Sequence, residues 1–221
     1  MGAMYGMMIA MRDDERAAFE ALPQAAFVAR VFGGASSKSA LMEDHERTLH
    51  LETLWAAVDF VLTGKTLGVA ARAPLDFLRP TAGSSSGDVI GPDLGRGPAR
   101  YVSPARIRVI ASALERLDDH VIEARVSSPE LAHVVPFSNA DDDDDELLVL
   151  AQKTISASAL GADLENAEPT TAEELVGRIK PRRRERPTPN ERAEIRDAID
   201  ELRAFVAKLV RDGAGALVVI A

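Results

Sequence analysis

The sequence predicts an α+β fold, a single domain in which a small mixed sheet packs against several amphipathic helices. Two short apolar runs, "MYGMMIAM" at 4–11 and "ALVVI" at 216–220, read as buried strands near the two ends of the chain. Apolar residues recur at helical spacing after Thr48, after Ser103 and after Thr188. With 221 residues, 46% hydrophobic and 28% charged, the chain can bury one core without disulfides or metal.

Along the chain, Arg12 and Asp13 end the first strand, and Asp13 or Asp14 caps a short helix, "ERAAFEAL", broken by Pro23. The polar patch "GGASSKS" reads as a loop. From Thr48, the residues Leu51, Leu54, Trp55, Val58, Val61 and Leu62 make a helix with Trp55 as its largest core anchor, and Gly64 suits the left-handed residue that ends it. "TAGSSSGDVIG", residues 81–91, reads as a flexible loop. Ser103 as N-cap and Pro104 in the first turn open a second helix carrying Ile107, Ile110, Leu114 and Leu117. "HVVPF" reads as a strand confined to an edge or an end by Pro136, and "LLVLAQKTISASAL" as a helix. Between Gly161 and Pro189 the composition turns polar and basic; Thr170 with Glu173, and Thr171 with Glu174, offer capping boxes there. Thr188, Pro189 and Glu191 give the last helix the clearest start in the chain; it carries Ile195, Leu202, Phe205, Val206, Leu209 and Val210 and stops at "RDGAG".

The chain has no cysteine, which excludes disulfides, thiolate catalysis and cysteine-ligated zinc and fits a reducing cytoplasm. No apolar run reaches the roughly 20 residues of a membrane helix, and no basic segment precedes the Met-rich start. Asp141 to Glu146 supply six of the net nine negative charges. The remainder offers no global attraction to nucleic acid or anionic membrane. The expectation is a cytoplasmic protein that binds neither.

The segment with most chemistry is "GPDLGRGPARYVSP", residues 91–104. Its glycines permit close backbone approach, and Arg96 and Arg100 beside exposed N–H groups suit a carboxylate or phosphate. The same residues also serve a loop that merely turns, with Asp93 and Arg100 paired and Tyr101 packed beneath. Asp93, Arg96, Arg100 and Tyr101 are the candidate ligand- or partner-binding residues, joined by Asp59 and Trp55 if the first long helix packs nearby. "LTGKT" lacks the glycine a P-loop needs, since Asp59 stands there, and it follows a helix rather than a strand. The acidic run lacks the alternation and central glycine of a calcium loop and reads as solvated charge before a helix. "RRRER", Arg182 to Arg186, has no interleaved aromatics and reads as a solvated linker. The histidines, His45, His50, His120 and His133, show no metal-ligand spacing and no nucleophile partner in sequence. No cofactor or metal is expected and no residue is assigned as catalytic.

Taken together, the N-terminal strand, "LETLWAAVDFVLTG", "APLDFL", the loop with its helix "GPDLGRGPARYVSPARIRVIASAL", the Pro-Phe segment before the acidic run and "ELRAFVAKLVRDGAGALVVIA" resemble the YfbM-like family, a domain family of unknown function. The resemblance spans the chain and implies an α+β fold, with no established reaction, cofactor or catalytic residue. Two departures stand out. Family members often carry a histidine between the Trp and "LLTG", where this chain has "AAVDFV" with Asp59, and the polar stretch at about 157–189 looks like an insertion. The reading that follows is a single 1–221 domain that binds a protein partner without catalysis, in a regulatory or toxin-neutralising role. The rival is a small-ligand receptor or a hydrolase-type enzyme built on the 91–104 loop.

Overall fold

The computed structural model describes residues 5–33, 40–79, 87–94, 97–134 and 186–221, and these belong to one compact unit. Five strands, β1 (Gly6–Met11), β2 (Thr48–Glu52), β3 (Asp88–Asp93), β4 (Pro98–Val102) and β5 (Gly215–Ile220), form one sheet in the order β2-β1-β5-β4-β3. All four pairings are antiparallel, where a mixed sheet was expected. The six described α-helices are α1 (Asp13–Glu20), α2 (Gln24–Phe32), α3 (Trp55–Thr63), α4 (Pro104–Glu115), α5 (Asp119–Val126) and α6 (Pro189–Asp212). The α+β class stands.

The central strand, β5, and its neighbour β1 come from the two chain ends that read as apolar runs. Every residue of β5 is buried, so the strand is covered on both faces. Alternation along the strands sorts the core into two halves. One face presents Met7, Ile9, Met11, Leu217, Val219, Ala99 and Tyr101 to Phe19 of α1 and to Phe27 and Val31 of α2. The other presents Met8, Val218 and Val102, all buried, on the side of α3, α4 and α6.

Several elements differ from the sequence reading, each for a local reason. Thr48–Glu52 is a strand paired with β1 rather than the start of a helix, and α3 begins only at Trp55. Of the loop expected over 81–91, residues 88–91 belong to β3 and 81–86 lie outside the described residues; the Gly/Pro-rich motif is a β-hairpin at the sheet edge. Its register shifts between Val89 and Asp93, a bulge that accommodates Gly91 and Pro92. Arg12, not Asp13 or Asp14, occupies the N-cap of α1; Glu15 accepts its N–H at 3.0 Å. Helices α2 and α5 had no counterpart in the reading. His133 ends a 3-10 turn, Pro129–His133, and residues 135–137 of the strand expected over 133–137 lie outside the described residues; Val210 is 36% exposed rather than on the core face. The proposed 147–160 helix, the acidic run and the 170–174 capping boxes lie outside the described residues.

The other boundaries match. Gly64 ends α3 in the left-handed region at φ 65°. Thr188 and Glu191 form the reciprocal capping box of α6, at 3.2 and 2.6 Å, and Gly213 closes that helix at φ 62°.

Candidate functional site

Helix α3 is buried all round, from Trp55 to Leu62, as a helix in the middle of a core must be. Asp59 is its only charge and is 0% exposed. Burial without compensation would be prohibitive for a carboxylate, and Arg79 supplies the compensation. This arginine, itself 6% exposed, lies against both Asp59 oxygens: its Nε donates to Oδ1 at 3.2 Å, and its Nη2 makes an ion-pair contact with Oδ2 at 2.9 Å. Its other donors reach Thr63 Oγ1 at 2.9 Å, the Lys65 carbonyl at 2.6 Å and the carbonyls of Thr66 and Val69. Arg125 reaches the same end of α3, donating to the Val61 and Leu62 carbonyls at 2.6 and 2.9 Å. Two guanidinium groups therefore meet the carbonyl-rich, partially negative end of one buried helix.

Arg100 joins this assembly from β4. It is 1% exposed, and its Nη1 donates to the backbone carbonyl of Arg79. Burial pushes its pKa down to about 10, against an upward pull from Asp76, which is itself buried. Asp59, Asp76, Arg79 and Arg100 thus form a buried charge cluster, two carboxylates with two guanidiniums. Asp59 is held at about 6, mainly by desolvation; Arg79 opposes that shift and Asp76 reinforces it. A carboxylate near neutrality suits acid–base chemistry, but here both oxygens face one guanidinium and the side chain is sealed from solvent. The arrangement braces α3, the 63–79 segment and β4 against one another.

Tyr101 is the next residue in β4 and points to the opposite face of the sheet. Its hydroxyl donates to Asp13 Oδ1 at 2.5 Å, and the Arg16 guanidinium lies 5.0 Å from its ring centre. Burial, and then Asp13, raise its pKa above the usual tyrosine range. Arg16 also pairs with Glu20 at 2.7 Å and Asp88 at 3.0 Å, which ties α1 to the hairpin. Asp93 is exposed, and its Oδ1 accepts the Gly97 N–H at 3.0 Å within the turn. Arg96 lies outside the described residues. The structure brings Asp59 and Arg100 together through Arg79 and places Tyr101 in a separate clamp on the other face. Trp55 lies with Asp59 on α3.

Sequence reasoning missed Asp76 and Arg79. Their only trace was "APLDFL", noted as a family-like segment that stops one residue short of Arg79. Among the described residues, no group of three or more His, Asp or Glu side chains could hold a metal, and no helix is long and apolar enough to cross a membrane.

The raised Asp59 pKa has a signed consequence for stability. Below pH about 3 the carboxyl is protonated in folded and unfolded chains alike. As pH rises towards 6, the unfolded chain ionises first while the folded chain keeps the proton, so the Asp59 contribution falls and then levels off above the folded value of about 6. Over this window the unfolding free energy of the wild type should decline by about 3 kcal/mol relative to Asp59→Asn, at about 1.36 kcal/mol per unit. Parallel urea melts from pH 3 to 7.5 measure the difference, in which the other carboxylates cancel. A flat difference, or one that favours the wild type at high pH, would mean that Arg79 outweighs desolvation.

The fold and the chain both have recognisable relatives. The structure is similar to that of YfbM from Escherichia coli, described as a protein of unknown function, with a TM-score of 0.54 and 15% identity over 98% of this chain and 99% of that one. At that identity the likeness concerns the fold. A comparison with curated proteins finds no match. The model of the domain of unknown function DUF1877 matches residues 1–154, well over half of the chain, and the chain belongs to that family.

Proposed function

We infer that the domain works by binding a protein partner along the sheet edge formed by the β3–β4 hairpin, next to the α1–α2 turn. The observation that supports this most is Val89, a 55% exposed valine on a strand whose neighbour is locked into the core. Arg100 on one face of β4 and Tyr101 on the other hold that neighbour rigid. Beside Val89 lies a cleft of about 480 Å³ lined by Glu20, Leu22, Gln24, Ile90, Gly91 and Pro92. An apolar side chain held on a rigid frame next to a concavity costs little entropy to dock against. Pro92 and the bulge blunt β3 as a template for strand addition, so the contact is made through side chains. In this reading Asp93, at the hairpin end, contacts the partner together with Arg96, which lies outside the described residues, while Asp59, Arg100 and Tyr101 support the surface from beneath. A regulatory or toxin-neutralising role, exercised in the cytoplasm, needs no more than such a face. The polar stretch at about 157–189 is an insertion in this domain, a reading supported by the described residues on either side of 136–185 belonging to one unit.

The test places a photo-reactive amino acid at Asp93 in the native host. A discrete adduct with a second polypeptide is expected, lost on Val89→Arg and retained on Val109→Arg, a change at an equally exposed valine on α4. The polypeptide so identified, once purified, should bind the wild type and not Val89→Arg. No adduct, or one indifferent to Val89→Arg, would overturn the reading.

A further inference from the structure

On the α2 side of the sheet, at the β2 edge, three side chains from separate segments meet: Tyr5, His50 of β2 and His45 from the preceding turn. The Tyr5 hydroxyl and His50 Nδ1 are hydrogen-bonded at 2.8 Å, with the rings edge to face at 5.8 Å. The His45 and His50 ring centres are 5.7 Å apart and tilted by 58°. Among the described residues, the other nitrogen of His50, Nε2, is buried and has no hydrogen-bond partner. A buried polar atom left unmatched costs about 1–3 kcal/mol and calls for an explanation.

The backbone around it is irregular as well. The β1–β2 register shifts between Gly6 and Met7, and Glu52, the last residue of β2, has a left-handed φ of 45°. Bulges and left-handed non-glycine residues gather where a fold positions functional side chains. Tyr5, which extends the β1–β5 ladder by exchanging backbone hydrogen bonds with Ala221, lies two residues before Met7 and so shares its face, which brings it to His50, the Cα partner of Met7; the extra residue of the bulge is Leu51 of β2.

We propose that His50 Nε2 and the His45 imidazole hold a divalent transition-metal ion of the zinc, nickel or copper class, with water completing its shell. Imidazole is the ligand type these ions favour. With metal–nitrogen bonds of about 2.0–2.1 Å, two imidazoles sharing an ion have ring centres within roughly 6.5 Å, a limit the observed pair satisfies. Binding requires Nε2 to be deprotonated and Nδ1 to carry the proton, donated to the Tyr5 oxygen. A metal-bound imidazole characteristically donates its second nitrogen in this way, which fixes the tautomer and the ring orientation. His45 is exposed, so the ion enters from its side, while His50 lies deeper. Two protein ligands make this a site of moderate affinity, separate from the hairpin face.

Calorimetric titration of Zn²⁺ into the full chain tests the site, with millimolar Mg²⁺ present to occupy the carboxylates of the 141–146 run. One-to-one binding is expected. His50→Gln and His45→Gln should each weaken it about tenfold or more, and His120→Gln, a change on α5, should leave it unaltered. With Cu²⁺ in place of Zn²⁺, electron paramagnetic resonance should show coupling to two imidazole nitrogens, reduced to one by His45→Gln. If His50→Gln does not fold, His45→Gln, at an exposed turn position, decides alone. Absence of a saturable Zn²⁺ site, affinity indifferent to both substitutions, or an equal loss on His120→Gln would overturn the assignment.

Discussion

Replacing Arg79 by alanine is expected to remove about 3–5 kcal/mol of stability, the usual cost of breaking a buried ion pair from one side. The substitution leaves the Asp59 carboxylate, 0% exposed, without its counter-charge, and strips donors from Thr63 Oγ1 and from the carbonyls of Lys65, Thr66 and Val69. It does not touch the carbonyl that holds Arg100, because that acceptor is the Arg79 backbone. Arg79→Lys should recover part of the loss, since an ammonium reaches Asp59 but lacks the fork. The double substitution Arg79→Met/Asp59→Leu should recover most of it, because two apolar chains of similar volume remove the desolvation cost together with the pair. Urea melts of the wild type, Arg79→Met, Asp59→Leu and the double substitution provide the cycle, with Arg79→Ala and Arg79→Lys measured beside them. An Arg79→Ala loss below about 1 kcal/mol would show that the cluster is no brace.

The parts of this architecture that were legible from sequence are those in which one local signal dominates. Helix α6 announced itself through Thr188, Pro189, Glu191 and Gly213, because caps act on the backbone they belong to and need no tertiary partner. β1 and β5 were legible because central strands covered on both faces are continuous apolar runs. β2 was not: Leu49 and Leu51 alternate over only five residues, and Leu51 with Leu54 and Trp55 also fits a helix, so pairing with β1 decides the matter. The hairpin was hidden because Gly91 and Pro92 read as breakers, whereas at an edge they form a bulge. Helix α2 starts behind Pro23 without a side-chain cap.

The candidate residues divide along the same line. Arg100 was read as pairing with Asp93 to fix a loop, and one acceptor it has in the structure is the backbone carbonyl of Arg79. What joins it to Asp59 is a residue 20 positions from one and 21 from the other, a relation that no spacing rule reveals. Tyr101 belonged to the same constellation only while the motif was read as a loop. Once β4 is a strand, neighbours in sequence face opposite layers, and Tyr101 goes with Asp13 and Arg16 instead.

Trp55→Ala is expected to cost about 3–5 kcal/mol, the range for truncating a large aromatic in a core. The indole is 1% exposed at the start of α3, directly after the strand that pairs with β1. It lies against the β1 backbone at Gly6, where a Cβ would come within 2.5 Å of the Trp55 Cβ. The glycine is therefore the other half of the contact, and no side chain fits at Gly6 unless Trp55 shifts. One feature of the fit separates shape from polarity: among the described residues, the buried indole Nε1 has no hydrogen-bond partner. Trp55→Phe leaves a smaller cavity than alanine and also removes that unmatched donor, which is worth about 1–3 kcal/mol when buried. The two terms oppose each other, so Trp55→Phe should lie within about 1 kcal/mol of the wild type while Trp55→Ala does not. Denaturant melts of the two variants measure both. If phenylalanine proves as costly as alanine, the indole N–H is satisfied in solution, and the contact with Gly6 is not what makes Trp55 the anchor of α3.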